Sequence, residues 1–148
     1  MPDAGTGSPT PERGGNGPSH RGRWWSSRRV IVLDESMLPT LQPGDRLWVD
    51  RRAYRDRTPA VGDLVVLLDP ELPSRWLVKR VAVVGPGVEP AEPGRPGGVG
   101  AVPEGSVFVL SDATVPTRDS RSFGAVRIDT LVGRIYRRYA PGARRGDL

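Results

Sequence analysis

Apolar side chains come along this chain in short runs, separated by Gly, Pro and charged residues. Val30–Leu33 is the first run, and it leads into two acids and a turn. Asp45–Asp50 (DRLWVD) alternates polar and apolar after Pro43-Gly44, the pattern of a strand following a turn. Asp63–Asp69 (DLVVLLD) is continuously apolar between Gly62 and Pro70, as expected of a buried strand. Arg75–Val84 (RWLVKRVAVV), Ser106–Leu110 and Leu131–Tyr139 predict three more strands. Between them, Arg51–Ala60 reads as a charged loop and Ser111–Gly124 as a polar one. Gly85–Gly105 holds seven Gly and five Pro and predicts a long flexible excursion. Pro141–Leu148 is expected to fray. No stretch keeps a 3.6-residue period long enough for a substantial helix, and there is no internal repeat. The expected fold is mostly β, one domain with a bent or barrel-like sheet over about 28–140.

Residues 1–27 form a Gly/Pro/Arg-rich tail; the first 23 carry six Gly and four Pro and hardly an apolar side chain, which predicts disorder. Within it, Trp24 and Trp25 are flanked by arginines, a composition that suits a lipid headgroup layer. Packing of one or both rings against the sheet is the alternative. No apolar run approaches the roughly 18–20 residues needed to cross a bilayer, and no secretory signal opens the chain. The expectation is a cytoplasmic or peripheral membrane protein.

Composition removes several kinds of chemistry. There is no cysteine, so disulfides and thiolate nucleophiles are excluded. The single histidine, His20, lies in the tail, which argues against a Ser-His-Asp triad and any multi-histidine metal site. No metal or cofactor is expected. The net charge of +5 invites nucleic acid, yet the cations are scattered over strands and loops without a recognition-helix or zinc-finger pattern, so nucleic acid is not expected. Of 22 Lys plus Arg, every one except Lys79 is Arg. Arg stays protonated in any protein setting, whereas a desolvated Lys can lose its proton.

Two positions then stand out. Ser36 opens the turn Ser36-Met37-Leu38-Pro39-Thr40, where Pro39 forces a bend at the end of a strand. A serine there either caps a short turn or projects its hydroxyl towards a substrate. Strand alternation puts Lys79 on one face with Leu77, Val81 and Val83, and Arg80 on the other. Burial disfavours the charged amine, and moving its pKa from about 10.4 to about 7 takes about 4–5 kcal/mol. The alternative is an ordinary lysine reaching to solvent. A hydroxyl nucleophile needs a neighbouring base, and a Ser–Lys dyad is the centre this composition most readily permits.

The motifs also resemble those of the bacterial type I signal peptidases. Ser36-Met37-Leu38-Pro39-Thr40-Leu41 with Pro43-Gly44-Asp45 is similar to their nucleophile box, and Gly62-Asp63-Leu64-Val65-Val66 to the next strand box. Lys79-Arg80-Val81 resembles the general-base box. Val102-Pro103-Glu104-Gly105 through Ser111-Asp112, then Asp119-Ser120-Arg121 and Gly124, resembles the last box at matching spacing. The resemblance implies a coiled, barrel-like β core, Ser36 as nucleophile and Lys79 as general base. It further implies Thr117 as the hydroxyl that orients the amine, and Asp119 and Arg121 as an ion pair stiffening the loop, with Arg80 joining them.

Three departures accompany it. Asp34 stands two positions before Ser36, where some members carry a hydroxyl for the oxyanion; a carboxylate there is expected to point elsewhere. The family's usual Gly-Asp-Asn is Ser111-Asp112-Ala113. No stretch corresponds to the N-terminal membrane anchor, and in this the chain is similar to the short maturation proteases of nickel-type superoxide dismutase. The implied function is a Ser/Lys endopeptidase that removes an N-terminal signal or leader from a precursor protein, either at a membrane surface or as a cytoplasmic maturation protease. The alternative is a non-catalytic basic binding module on the same fold.

Overall fold

A computed structural model describes residues 27–92 and 100–148. The tail with His20, Trp24 and Trp25, and the centre of the Gly/Pro-rich excursion, lie outside the described residues. The strands are β1 (Ser27–Ile31), β2 (Arg46–Asp50), β3 (Leu64–Leu68), β4 (Trp76–Val84), β5 (Gly87–Val88), β6 (Ala101–Val102), β7 (Ser106–Leu110), β8 (Val126–Arg127), β9 (Leu131–Ala140) and β10 (Gly146–Asp147). Eight of them make one antiparallel sheet in the order β1-β2-β9-β3-β4-β7-β8, with β10 added against β9. The fold is mostly β, as the alternation and short apolar runs predict. A single helical turn, α1 (Ser120–Phe123), is the only α-helix among the described residues.

The apolar pattern of β3 explains where the core sits. Leu64 and Val66 pack into one cluster with Val32, Met37, Leu41, Leu47, Val49 and Ile135. Val65 and Leu67 project the other way into a second cluster with Leu77, Val81, Val107 and Val109. A strand covered on both faces has no polar side to show, hence the unbroken LVVLL. The segment carrying Ser36 is anchored on the first cluster by Met37 and Leu41, which are 1% and 0% exposed. Lys79 lies on the face of the second.

Three expectations about the loops and ends are corrected. The tail boundary falls one residue earlier than expected, since Ser27 already pairs with Asp50. The Gly/Pro-rich excursion is closed at its base by the ribbon β5–β6, where Gly87 pairs with Val102 and Val88 with Ala101. Gly85 serves close packing at that base: a Cβ on it would lie 1.7 Å from the Pro103 carbonyl oxygen. The C-terminal residues, expected to fray, fold back so that Gly146 and Asp147 pair with Arg138 and Arg137. The cause is electrostatic. Asp45 is 1% exposed, and Arg138 and Arg144 supply its cations at 3.3 and 3.1 Å.

Gly133 tests the close approach of β9 to β2. An added Cβ there would sit 2.4 Å from the Asp50 carbonyl oxygen and 2.8 Å from Val49 Cγ1. Gly133→Ala is expected to destabilise the fold by about 1–3 kcal/mol, read as a lower urea midpoint at unchanged m-value. A loss under about 0.5 kcal/mol would mean that the two strands separate freely there.

Candidate active site

The loop between β1 and β2 carries Ser36. Its neck is closed by the Val32 N–H on the Asp45 carbonyl (2.9 Å) and the Gly44 N–H on the Val32 carbonyl (2.8 Å). Gly44 has φ +91°, a backbone that favours glycine at this reversal. Above the neck, the Leu41 N–H donates to the Met37 carbonyl at 2.9 Å, so the Pro39 bend is a wound turn seated on two buried apolar side chains. Ser36 is half-buried at its rim.

Lys79 comes from the centre of β4, where it pairs with Val65 of β3. It is 2% exposed, between the equally buried Leu77 and Val81. Burial pushes its pKa below the ordinary lysine value; the Asp34 and Asp119 charges oppose that shift, and Arg75 and Arg121 add to it. Ser36 and Lys79 line one cleft of about 350 Å³ together with Asp34, Glu35, Arg75, Leu77, Val115, Thr117 and Arg118. Ser36 also borders a second, more apolar cleft of about 590 Å³ walled by Val30, Val32, Met37, Trp76 and Val78.

The amine's partner is a residue that sequence reading passed over. Lys79 Nζ donates to Ser111 Oγ at 2.9 Å, and Thr117 Oγ1 donates to the same Oγ at 2.5 Å. Thr117 therefore reaches the amine through Ser111 rather than directly. The signal lay in strand register: Arg80 pairs with Leu110, so the next residue after β7 falls across from Lys79. Asp119 holds Ser111 in turn, accepting from the Ser111 N–H at 3.0 Å. Arg121 grips Asp119 at 2.7 Å, as the ion-pair expectation has it. Burial alone would raise the Asp119 pKa, but these donors outweigh it and keep the carboxyl below the usual range.

Arg80 does not join that pair. It faces away from Lys79, as alternation requires, and binds Asp112 through two contacts of 2.8 and 2.7 Å. Asp112 also accepts from Thr40 Oγ1 at 2.7 Å, and the Ala113 N–H donates to the Ser36 carbonyl at 3.0 Å. The Ser111-Asp112-Ala113 variant thus ties the segment carrying Ser36 to the strand carrying Lys79.

The expectation for Asp34 is also corrected. Its carboxylate points at Ser36, with Oδ1 accepting from Ser36 Oγ at 2.7 Å and from the Ser36 N–H at 3.0 Å. A short acidic side chain readily accepts from the backbone two residues on, and these are the nearest donors. Burial acts to raise its pKa; the Ser36 hydrogen bonds and the Lys79 and Arg75 charges override that and hold it below the usual carboxylate range.

A family model described as "Signal peptidase, peptidase S26" matches residues 22–92 and 87–140. The mitochondrial ATP-independent inner membrane protease subunit 1b of Arabidopsis thaliana is 38% identical over 112 residues, covering 72% of this chain and 66% of that protein. The probable signal peptidase I-1 of Synechocystis sp. is 31% identical over 155 residues, covering 85% of this chain and 78% of its own length. The mitochondrial inner membrane protease subunit 2 of Schizosaccharomyces pombe is 34% identical over 125 residues, covering 79% and 67%. No helix among the described residues is long and apolar enough to cross a membrane. With a family model matched over most of its length, this chain belongs to the signal peptidase family, peptidase S26, and is a serine-type peptidase.

Proposed function

We propose that Ser36 and Lys79 form the dyad of an endopeptidase that removes an N-terminal signal or leader segment from a precursor protein. One observation carries the reading: a buried lysine amine, tied to a single hydroxyl, lines the same cleft as the turn serine. Ser36 Oγ attacks the scissile carbonyl carbon while its proton passes to neutral Lys79 Nζ. The carbonyl oxygen becomes an oxyanion within reach of the Ser36 N–H. The tetrahedral adduct collapses, the C–N bond breaks, and Lys79 returns the proton to the departing amine. Water then attacks the acyl-enzyme with Lys79 again taking the proton, which releases the leader's carboxylate and restores Ser36. Ser111 and Thr117 orient the amine, Asp119 and Arg121 hold their loop, and Arg80 braces it through Asp112.

The substrate side is supported by the edge position of β1 and by the apolar cleft beside it. An extended leader can run along β1, with backbone hydrogen bonds giving affinity and the cleft selecting side chains. Small residues are favoured just before the cut, by analogy with the family. Exposed Ile31, Leu33, Leu72 and Trp76 favour work at a membrane surface, with Trp24, Trp25 and their arginines as further contacts, over free action in the cytoplasm.

Three predictions follow from the dyad. On a leader-bearing precursor, Ser36→Ala and Lys79→Arg are each expected to abolish cleavage, scored by gel or mass spectrometry. Lys79→Arg keeps the charge but cannot act as a base, so undiminished cleavage by it would remove Lys79 from the mechanism. Neutral Lys79 is the active form and its pKa is lowered, so kcat/KM falls as pH drops through a value below the free-lysine figure of about 10.4. A profile still climbing above about pH 10 would contradict a desolvated amine. Finally, Ser111→Ala is expected to lower kcat by about 10²-fold and Thr117→Val by about tenfold, because only Ser111 touches the amine. Equal losses, or a larger one for Thr117→Val, would reverse the assigned order.

A further inference from the structure

The two groups of Ser36 that the proposed chemistry needs are both engaged before any substrate arrives. Its hydroxyl donates to Asp34 Oδ1 at 2.7 Å, so the proton destined for Lys79 is directed at a carboxylate. Its N–H donates to the same oxygen at 3.0 Å, so the donor an oxyanion would use is occupied by an anion already. Asp34 Oδ1 therefore sits where the negative charge of the tetrahedral adduct has to develop. Its field reaches the base as well, where it favours the protonated form of Lys79, the form that cannot accept a proton.

The surroundings offer the carboxylate a second resting place. Arg75 Nη2 lies 3.9 Å from Asp34 Oδ2, across the cleft, and both side chains are about half exposed at 50% and 54%. An exposed carboxylate leaves its partner at little desolvation cost, since water replaces part of the lost contact. The other charges facing this point are Lys79 on β4, Glu35 beside Asp34, and Arg118 on the loop after β7, all lining the same cleft. The charges of Asp119 and Arg121 also act on Lys79.

We infer that Asp34 is a built-in latch: it occupies the hydroxyl and oxyanion-binding N–H of Ser36 in the resting enzyme, and turns to Arg75 when a peptide carbonyl competes for that N–H. The latch rests on the Ser36/Lys79 reading given above. Once it is released, the Ser36 hydroxyl is free to turn to Lys79, and removal of the nearby anion eases deprotonation of the amine. No atom is gained or lost in the release; one charge-assisted hydrogen-bond pair is exchanged for a closer approach to Arg75, already 3.9 Å away, and a bound carbonyl.

The test compares full-length wild type, Asp34→Gly and Asp34→Asn, each with and without Ser36→Ala. A fluorogenic peptide with alanine just before the cut reports cleavage, and a peptide boronic acid ending in boro-alanine reports formation of a tetrahedral anion on Ser36. Asp34→Gly is expected to raise kcat/KM about tenfold, equivalent to about 1.4 kcal/mol, with Asp34→Asn between it and wild type. The acid limb of the pH profile is expected to move to lower pH, because the charge that raises the Lys79 pKa is gone. The boronate is expected to bind Asp34→Gly about tenfold more tightly than wild type, and not to bind the Ser36→Ala forms.

If wild type cleaves in a Ser36-dependent way while both Asp34 variants match or fall below it, with unmoved acid limbs and boronate affinity, the latch is overturned and the dyad stands. If cleavage and boronate binding persist in Ser36→Ala, or are absent from every form, the dyad reading falls and takes the latch with it. Urea midpoints of the two variants close to wild type would separate these results from a loss of fold.

Discussion

An amine buried in a β-sheet is the constraint on which this structure turns. At 2% exposure, between Leu77 and Val81 and across from Val65, Lys79 has almost no water to solvate a charge. A sheet interior does not provide the three acceptors that an ammonium group would fill. Among the hydrogen bonds of Lys79 Nζ, the side-chain contact is to one neutral hydroxyl, Ser111 Oγ, rather than to a carboxylate. The nearest acids act from a distance: Asp119 is committed to Arg121 and the Ser111 N–H, and Asp34 to Ser36. In that arrangement burial outweighs the acids around the amine and lowers its pKa.

The proposed dyad needs this amine and the Ser36 hydroxyl in one cleft, and the two come from segments 43 residues apart, at positions 36 and 79. The sheet alone does not join them, because β1 and β2 lie on the far side of β9 and β3 from β4. The loop after β7 makes the connection. Asp112 binds Arg80 on β4 and Thr40 beyond Ser36, while the Ala113 N–H holds the Ser36 carbonyl. Asp119 fixes the same loop from its other end and caps α1 by accepting from the Arg121 N–H. Each carboxylate is multiply bonded, so losing any one partner leaves a part-buried charge with fewer donors, a costlier event than losing an exposed pair.

How much of this was legible follows the range of the interactions. Period-two alternation in DRLWVD and the unbroken LVVLL are local properties, and both strands are found within a residue or two of their expected ends. The face assignment of Lys79 against Arg80 is local too, and both side chains take the predicted sides. Ser111 needed the register of β4 against β7, a pairing interrupted by a shift between Val81 and Val83, which no local pattern reports. The ordered C-terminus rests on Asp45 meeting Arg144 across 99 residues of sequence. A tail of Pro, Gly and Arg carries no sign of such a partner. Asp34 was misjudged for a different reason: the functional requirement said that a carboxylate should avoid Ser36, whereas the local donors said that it should bind there.

The buried carboxylates and the buried amine are all shifted downward, with opposite consequences for their charged forms. Burial works to raise the pKa values of Asp45, Asp69, Asp112 and Asp119, but arginines, joined by backbone donors or, at Asp112, by the Thr40 hydroxyl, more than offset it, so all four sit below the usual range. Carboxylates depressed on folding stabilise the native state above the unfolded value of about 3.9, and that contribution is lost as pH falls through their lower folded values. Lys79 is shifted down from a much higher starting point, because burial disfavours its charged form. Every other basic side chain but His20 is an arginine, which keeps its proton in any protein setting. The bias towards arginine thus leaves a rigid, fixed-charge frame around one group whose charge can change.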